Sequence, residues 1–244
     1  PLLTGALELE RTTVSPAAPQ GLFYYNAAWL YSATGETLGR YRKHHLVPFG
    51  EYIPLDKRLP ALQRLAPTGV SCTPGRAPGV LHVVRAGGGT LALGPLICFE
   101  DTVPALSRAA VRAGARLLVL MTNDAWFNGS VEPLQHLDQS IFRAVENGVP
   151  LVRAANSGVT CAVDAVGRVK RLESEGAATD FDGFLVMPVA VADTPLAAPY
   201  TRWGDRVLGL PGAVLLLALL ATGARRRVAA RSVAEEKQTD CEGT

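Results

Sequence analysis

Four cysteines, four histidines and two methionines are all that 244 residues hold of the soft, metal-binding side chains. Cys72, Cys98, Cys161 and Cys241 form no C-x-x-C pair, and no two histidines stand in an H-x-x-x-H pattern. A structural zinc site, a disulfide framework and a bound metal are therefore not expected, and nothing calls for a cofactor. Excess charge of one sign is lacking as well. With 24 basic and 22 acidic residues the net charge is +2, which argues against a polyanion-binding surface and so against nucleic acid as a partner. No basic run followed by an apolar stretch opens the chain at Pro1, so no secretory leader is expected and the chain reads as a fragment or a processed product. Repeats of solenoid length are also missing.

What is present is an alternation of β-rich runs and helical stretches, which predicts an α/β fold. Leu22 to Ser32 and Thr37 to Tyr41 flank the turn Ala33-Thr34-Gly35-Glu36 and read as a hairpin. Pro48, Gly50 and Pro54 break regular structure, so Lys43 to Leu55 is expected to be an ordered loop. Gly79 to Val84 and Thr90 to Cys98 pair around Gly87-Gly88-Gly89. Asp101 or Thr102 is placed to cap a helix with Pro104 in its first turn. Arg116 to Thr122 is the continuous apolar run of a strand buried on both faces, and Val131 to Glu146 has helical spacing that Gly148 and Pro150 end. Leu151 to Asn156, Val159 to Asp164, Val169 to Leu172 and Phe184 to Val191 complete the expected strands. Val207 to Ala224 is then an uncharged run of 18 residues, about 27 Å long as a helix and close to the thickness of a bilayer core. Arg225-Arg226-Arg227 follows it, the mark of a cytoplasmic end, which puts the globular part across the membrane. A buried core helix is the plainer alternative. The polar tail from Val228 to Thr244 is expected to be disordered.

Cys98 stands where a strand stops and a helix is about to start, a place where the helix dipole stabilises a thiolate that can attack carbonyls. Its bland alternative is an inert buried thiol. Cys161 falls inside a strand and reads as core; Cys72 lies in a Pro/Gly loop. Lys43 is a candidate cation for the thiolate and for an oxyanion, or simply a solvated loop lysine. Glu51 is placed to orient or pair with it. His44, His45 and His136 are possible bases, although surface positions are the simpler expectation for all three.

Tyr41-Arg42-Lys43-His44-His45-Leu46-Val47-Pro48-Phe49-Gly50-Glu51-Tyr52-Ile53-Pro54 resembles the lysine loop of the apolipoprotein N-acyltransferase family, a branch of the nitrilase or carbon-nitrogen hydrolase superfamily. Ile97-Cys98-Phe99-Glu100 resembles its nucleophile segment. The likeness continues in order through Thr122 to Phe127, Gln135-His136, Arg153 to Gly158 and Pro199 to Arg202. It implies a nitrilase-like four-layer αββα sandwich over residues 1–206, a transmembrane helix over 207–224 and a cytoplasmic tail over 225–244. It also implies a bacterial inner-membrane enzyme with its catalytic domain in the periplasm. Cys98 would take an acyl chain from a phospholipid and pass it to the amine of a diacylglyceryl-cysteine on an apolipoprotein. Lys43 matches the catalytic lysine, Glu51 the supporting loop glutamate, and Glu100 the acid two residues past the nucleophile. Phe99 stands where members often have Tyr. The general-base glutamate has no match, since neither Glu8 nor Glu10 fits its motif, so this chain alone is expected to be inactive. An amidase or carbamoylase using water, and a non-catalytic membrane-anchored domain, remain the alternatives.

Overall fold

The computed structural model describes residues 1–15, 21–56, 58–65, 69–85, 87–127, 129–194, 196, 198–209 and 211–223. Two units are resolved by their internal contacts, Pro1–Thr201 and Arg202–Thr244.

In the first unit, β1 (Leu2–Arg11), β2 (Leu22–Tyr31) and β3 (Thr37–Arg42) form an antiparallel three-stranded sheet in that order. The expected hairpin is β2 and β3; β1, for which the sequence pattern gives no sign, pairs along the whole of β2. A second sheet has six strands in chain order: β4 (Leu81–Val84), β5 (Thr90–Ile97), β6 (Leu117–Asn123), β7 (Leu151–Asn156), β8 (Cys161–Val163) and β9 (Val169–Arg171). Its middle strands β5, β6 and β7 are parallel, joined by α1 (Pro104–Arg112) and α2 (Glu132–Asn147). Residues 184–191, expected as a strand, join no strand ladder among the described residues and run without regular structure. Phe184 and Val186 are each 85% exposed, so no sheet face gathers them.

The period-two alternation of the strands sorts the core. On one face of the six-stranded sheet Leu96, Leu118, Leu120, Leu151 and Val163 pack with Leu106, Ala110, Val111, Leu137 and Ala144 of the two helices. On the other face Leu93 and Ile97, with Leu81, meet Ala28, Leu30 and Tyr41 of the three-stranded sheet. The turn before β7 is set by Gly148, which caps α2 at φ 63° while its carbonyl accepts from Leu196 N at 3.1 Å. A side chain there would be strained by φ and would strike Leu196 O at 2.6 Å.

Along the end of the chain, α3 (Pro199–Trp203) opens a 25-residue helix, Pro199–Gly223, whose most apolar 18-residue window has a mean hydropathy of 1.8 and is not buried. By length and composition it can cross a membrane. Arg225 to Arg227 and the tail from Val228 lie outside the described residues.

Candidate active site

The carboxyl ends of β5, β6 and β7 lie side by side, and each empties into a loop carrying polar groups: Cys98, Asn123-Asp124 and Asn156-Ser157. That edge is where open parallel sheets place ligands. Cys98 leaves β5 with φ 50°, a left-handed conformation that costs a non-glycine residue about 1–3 kcal/mol and marks a constrained position. It is half-buried against Ile97 and the inter-sheet core. The helix expected to begin here is delayed. Residues Cys98–Thr102 make a 3-10 turn, and α1 starts at Pro104 behind Val103, so neither Asp101 nor Thr102 caps it.

Glu100 is the reason the lysine loop lies against this turn. Fully buried, it accepts at Oε1 from Tyr41 OH at 2.8 Å, His44 N at 2.7 Å and His45 N at 3.0 Å, and at Oε2 from Ile97 N at 2.8 Å. Three of those donors bracket Lys43 in the chain, and the fourth is the residue before Cys98. One carboxylate thus staples the two segments singled out in the sequence. Burial pushes its pKa up and these donors hold it down, with burial prevailing. Burial, with the charge of Glu100 and the hydrogen bond to it, raises the Tyr41 phenol far above its usual range.

Lys43 is no solvated loop residue. It is 1% exposed, its N–H donates to Asn26 O at 2.8 Å, and its Nζ lies 2.7 Å from Glu51 Oε2. Glu51 is held in turn by Asn26 Nδ2 at 2.8 Å and Val47 N at 2.9 Å. Asn26 is a site residue that sequence reasoning missed, since an asparagine in an aromatic strand gives no signal beyond its polarity. Cys72 donates its N–H to Glu51 O at 2.7 Å; burial first, then Glu51, push its thiol up to about 11. Cys161 is a core thiol in β8, raised to about 11 by burial. Cys241 lies outside the described residues. Phe99 is 41% exposed and stacks on the His45 ring with centroids 6.2 Å apart. His44 gives its Nδ1 to Gly75 O at 2.8 Å.

The carboxylates of β1 turn away. Glu8 binds Arg40 and Arg42, and Glu10 binds Arg42. By strand alternation these four share the face of the small sheet opposite to Tyr41, so they do not meet the lysine loop.

Beneath the Cys98 turn lies an ionic cluster that sequence reasoning also missed. His136, expected on a helix surface, is 4% exposed; its Nε2 lies 2.8 Å from Asp101 Oδ1 and its Nδ1 3.1 Å from Asp124 Oδ1. Nε2 faces an acceptor and donates to it, while Nδ1 is shared between the Asp124 carboxylate and Arg153 Nη2, a donor 3.0 Å away. Burial opposes a charge on the ring, but the two carboxylates outweigh burial and bring His136 up to about 9. Arg153 joins Asp124 at 2.6 Å and Asp101 at 3.4 Å, and Ser140 donates to Asp101 at 2.6 Å. Burial works to raise Asp124, but His136 and Arg153 hold it below the usual carboxylate range. Arg143 Nη1 binds the Asp101 carbonyl at 2.8 Å, so the turn is held by its backbone too. Gly158 is required against this cluster, since a Cβ there would lie 2.1 Å from Asp124 Oδ2. The signal available in the sequence is Arg153 itself, a charge on the buried face of Leu151-Val152-Arg153.

A carbon-nitrogen hydrolase model matches residues 2–193, nearly all of the unit that builds this site. The chain belongs to the carbon-nitrogen hydrolase family. It is 49% identical over 149 residues to an apolipoprotein N-acyltransferase of Geobacter metallireducens, covering 61% of this chain and 28% of that protein. It is 35% identical over 235 residues to one of Bdellovibrio bacteriovorus, covering 95% of this chain and 40% of that protein. The chain therefore spans less than half the length of these relatives. A carbon-nitrogen hydrolase structure from Helicobacter pylori superposes with a TM-score of 0.49 at 18% identity, over 69% of this chain and 56% of that one.

Proposed function

We propose that this chain carries the nucleophile half of an N-acyltransferase acting on apolipoproteins. The observation that supports it is the Glu100 staple, which joins a strained cysteine turn to a buried lysine–glutamate pair. In the first step the Cys98 thiol releases its proton to solvent, the thiolate attacks the ester carbonyl of a phospholipid, and the lysophospholipid alkoxide departs and takes a proton from solvent. In the second, the free α-amine of a diacylglyceryl-cysteine attacks the thioester, the thiolate departs, and the amine proton passes to a base. Lys43 stabilises the oxyanion in both steps, Glu51 fixes Lys43, Glu100 fixes both segments, and Phe99 forms part of the approach with His45.

Glu8 and Glu10 are committed to arginines and Glu51 to Lys43, so none of them is that base. In this reading the 244-residue chain forms the thioester but transfers it slowly, by about 100- to 10,000-fold relative to a protein that has the base. A helical fourth layer over the outward face of the three-stranded sheet and a membrane span along Pro199–Gly223 complete the reading, with the Cys98 unit periplasmic. Keeping water from the thioester is what turns such a site from hydrolysis to transfer, and a lipid surface does so.

Incubation with labelled phospholipid followed by mass mapping tests the chemistry. A thioester on Cys98 that vanishes in Cys98→Ala is expected, and label on Cys72 or Cys161 overturns the assignment. Reporters fused after Thr244 and within the loop at Thr73 should report opposite compartments; the same compartment for both removes the span.

A further inference from the structure

Asn123 and Asn156 end β6 and β7 and stand opposite each other in the parallel register. Strand alternation puts Asn123 on the face of Met121, and Asn156 on the face opposite to Leu151 and Arg153. Both therefore look to the side of the large sheet on which Ile97, Cys98 and Met121 pack. Asn123 stands one strand from β5, about 4.8 Å, and Asn156 stands two. Ser157, which follows, is held at φ 63° as Cys98 is at φ 50°, so constrained non-glycine turns flank this row on both sides. Neither asparagine has a part in the thioester chemistry.

The two amides are oriented by their partners. Ala125 N can only donate, and it does so to Asn123 Oδ1 at 3.2 Å. The group of Asn156 that meets the same oxygen at 3.1 Å is therefore its Nδ2. With Asn123 Oδ1 engaged twice, Asn123 Nδ2 and Asn156 Oδ1 are the atoms left for other partners, and both residues are exposed. The row thus presents one N–H donor and one carbonyl acceptor. The ester groups of a phospholipid have no N–H to give and match half of this pattern. A polypeptide matches both halves, because the N–H and C=O of one extended residue project to the same side. Just beyond Asn123, Trp126 is 68% and Phe127 39% exposed, an apolar surface on the same loop as the polar pair. A peptide carrying acyl chains brings both kinds of group.

We propose that Asn123 and Asn156 hold the acceptor polypeptide by its backbone, at the residue that follows the diacylglyceryl-cysteine. Asn123 Nδ2 donates to the carbonyl of that residue, and its N–H donates to Asn156 Oδ1. The proposal rests on the acyl-transfer reading and adds to it a binding site for the acceptor chain. Each residue advances an extended chain by about 3.3–3.6 Å, so with the terminal amine at the Cys98 thioester the next residue lies within one to two strand spacings of β5, where the pair stands. Recognition through backbone groups is indifferent to the side chain of that residue, so one site serves acceptors of different sequence.

The test is binding of a synthetic diacylglyceryl-cysteine peptide to the 244-residue chain in a neutral detergent, read by calorimetry. The comparison ligand is the same peptide with an ester oxygen in place of the second residue's N–H. The ester form should bind about fivefold more weakly, the scale of one neutral hydrogen bond. Asn156→Ala should weaken the amide peptide by a similar factor and bind the amide and ester forms within about twofold of each other. Asn123→Asp keeps the oxygen that Ala125 and Asn156 use but sets a carboxylate oxygen against the peptide carbonyl, so it should weaken both forms by at least about fivefold. Dihexanoyl phosphatidylcholine, which has no N–H, should bind the chain and Asn156→Ala within about twofold of each other. Equal binding of the amide and ester forms by the chain, an ester penalty that persists in Asn156→Ala, or an equal loss of phosphatidylcholine in that variant overturns the proposal. Thioester formation on Cys98 is read separately. Its absence beside amide-selective binding sinks the acyl-transfer reading and leaves the peptide site, whereas a thioester beside equal binding sinks the site alone.

Discussion

Glu100 and Asp101 are neighbours in one 3-10 turn, and both are wholly buried, yet they are stabilised in opposite ways. Glu100 points to the three-stranded sheet and meets only neutral donors, three backbone N–H groups and a phenol. Asp101 points to α2 and meets an imidazolium, a guanidinium and a hydroxyl. Neutral donors leave burial in command and the Glu100 pKa rises; on the cationic side, Asp124 falls and His136 rises. The lysine loop is thereby attached by a carboxylate whose charge is costly, while the floor of the Cys98 turn is an ion cluster whose charges need one another. The two sides should respond differently to loss of a partner and to pH.

Loss of charge on the floor should do most damage. Arg153→Met leaves two buried carboxylates facing one imidazolium, and about 3–5 kcal/mol of stability should go, read as a fall in the denaturant midpoint. A loss under about 1 kcal/mol would mean that the cluster is not held by its charges.

Alkaline pH comes next. A folded pKa of about 9 for His136 against an ordinary 6.5 means that its contribution is fully present below pH 6.5 and is lost as pH rises through about 9. At most about 3 kcal/mol disappears across that window. Unfolding midpoints from pH 6 to 10 should show the decline, and His136→Gln should flatten it; a variant with the same slope removes His136 as its source.

On the opposite side Glu100→Gln keeps the shape, but turns an amide N–H₂ toward a donor whichever way the amide is rotated. A cost of about 2 kcal/mol and release of the lysine loop are expected, the loop being read by amide exchange at His44 and His45. Unchanged exchange there would mean that Glu100 does not hold the loop.

Tyr41→Phe removes one of the four donors and should cost about 1 kcal/mol, measured by the same denaturation. A cost as large as that of Glu100→Gln would make the phenol, and not the backbone donors, the principal anchor.

Much of the frame is legible in the sequence because it rests on local pattern. The apolar run ending at Thr122 is β6, the hairpin is β2 and β3, and the spacing from Val131 is α2 with Gly148 as its cap. Where the fold departs from local pattern, a contact distant in sequence decides the matter. Residues 184–191 alternate as a strand does but join no strand ladder among the described residues, and β1 becomes a strand by pairing with β2. Asp101 has the look of a helix cap because a short polar residue before Pro-Ala-Leu usually is one. It is instead consumed by His136, 35 residues away.

By itself the sequence determined the kind of chemistry on offer, because a cysteine after a buried strand and a lysine loop of unusual composition are properties of short segments. Tertiary structure alone decided how those pieces are used. That Lys43 is buried and paired, that Glu100 joins loop to turn across 56 residues, and that His136 carries a charge are all consequences of which groups share a desolvated space. Desolvation makes a carboxylate demand partners, and the fold supplies them from wherever in the chain they lie.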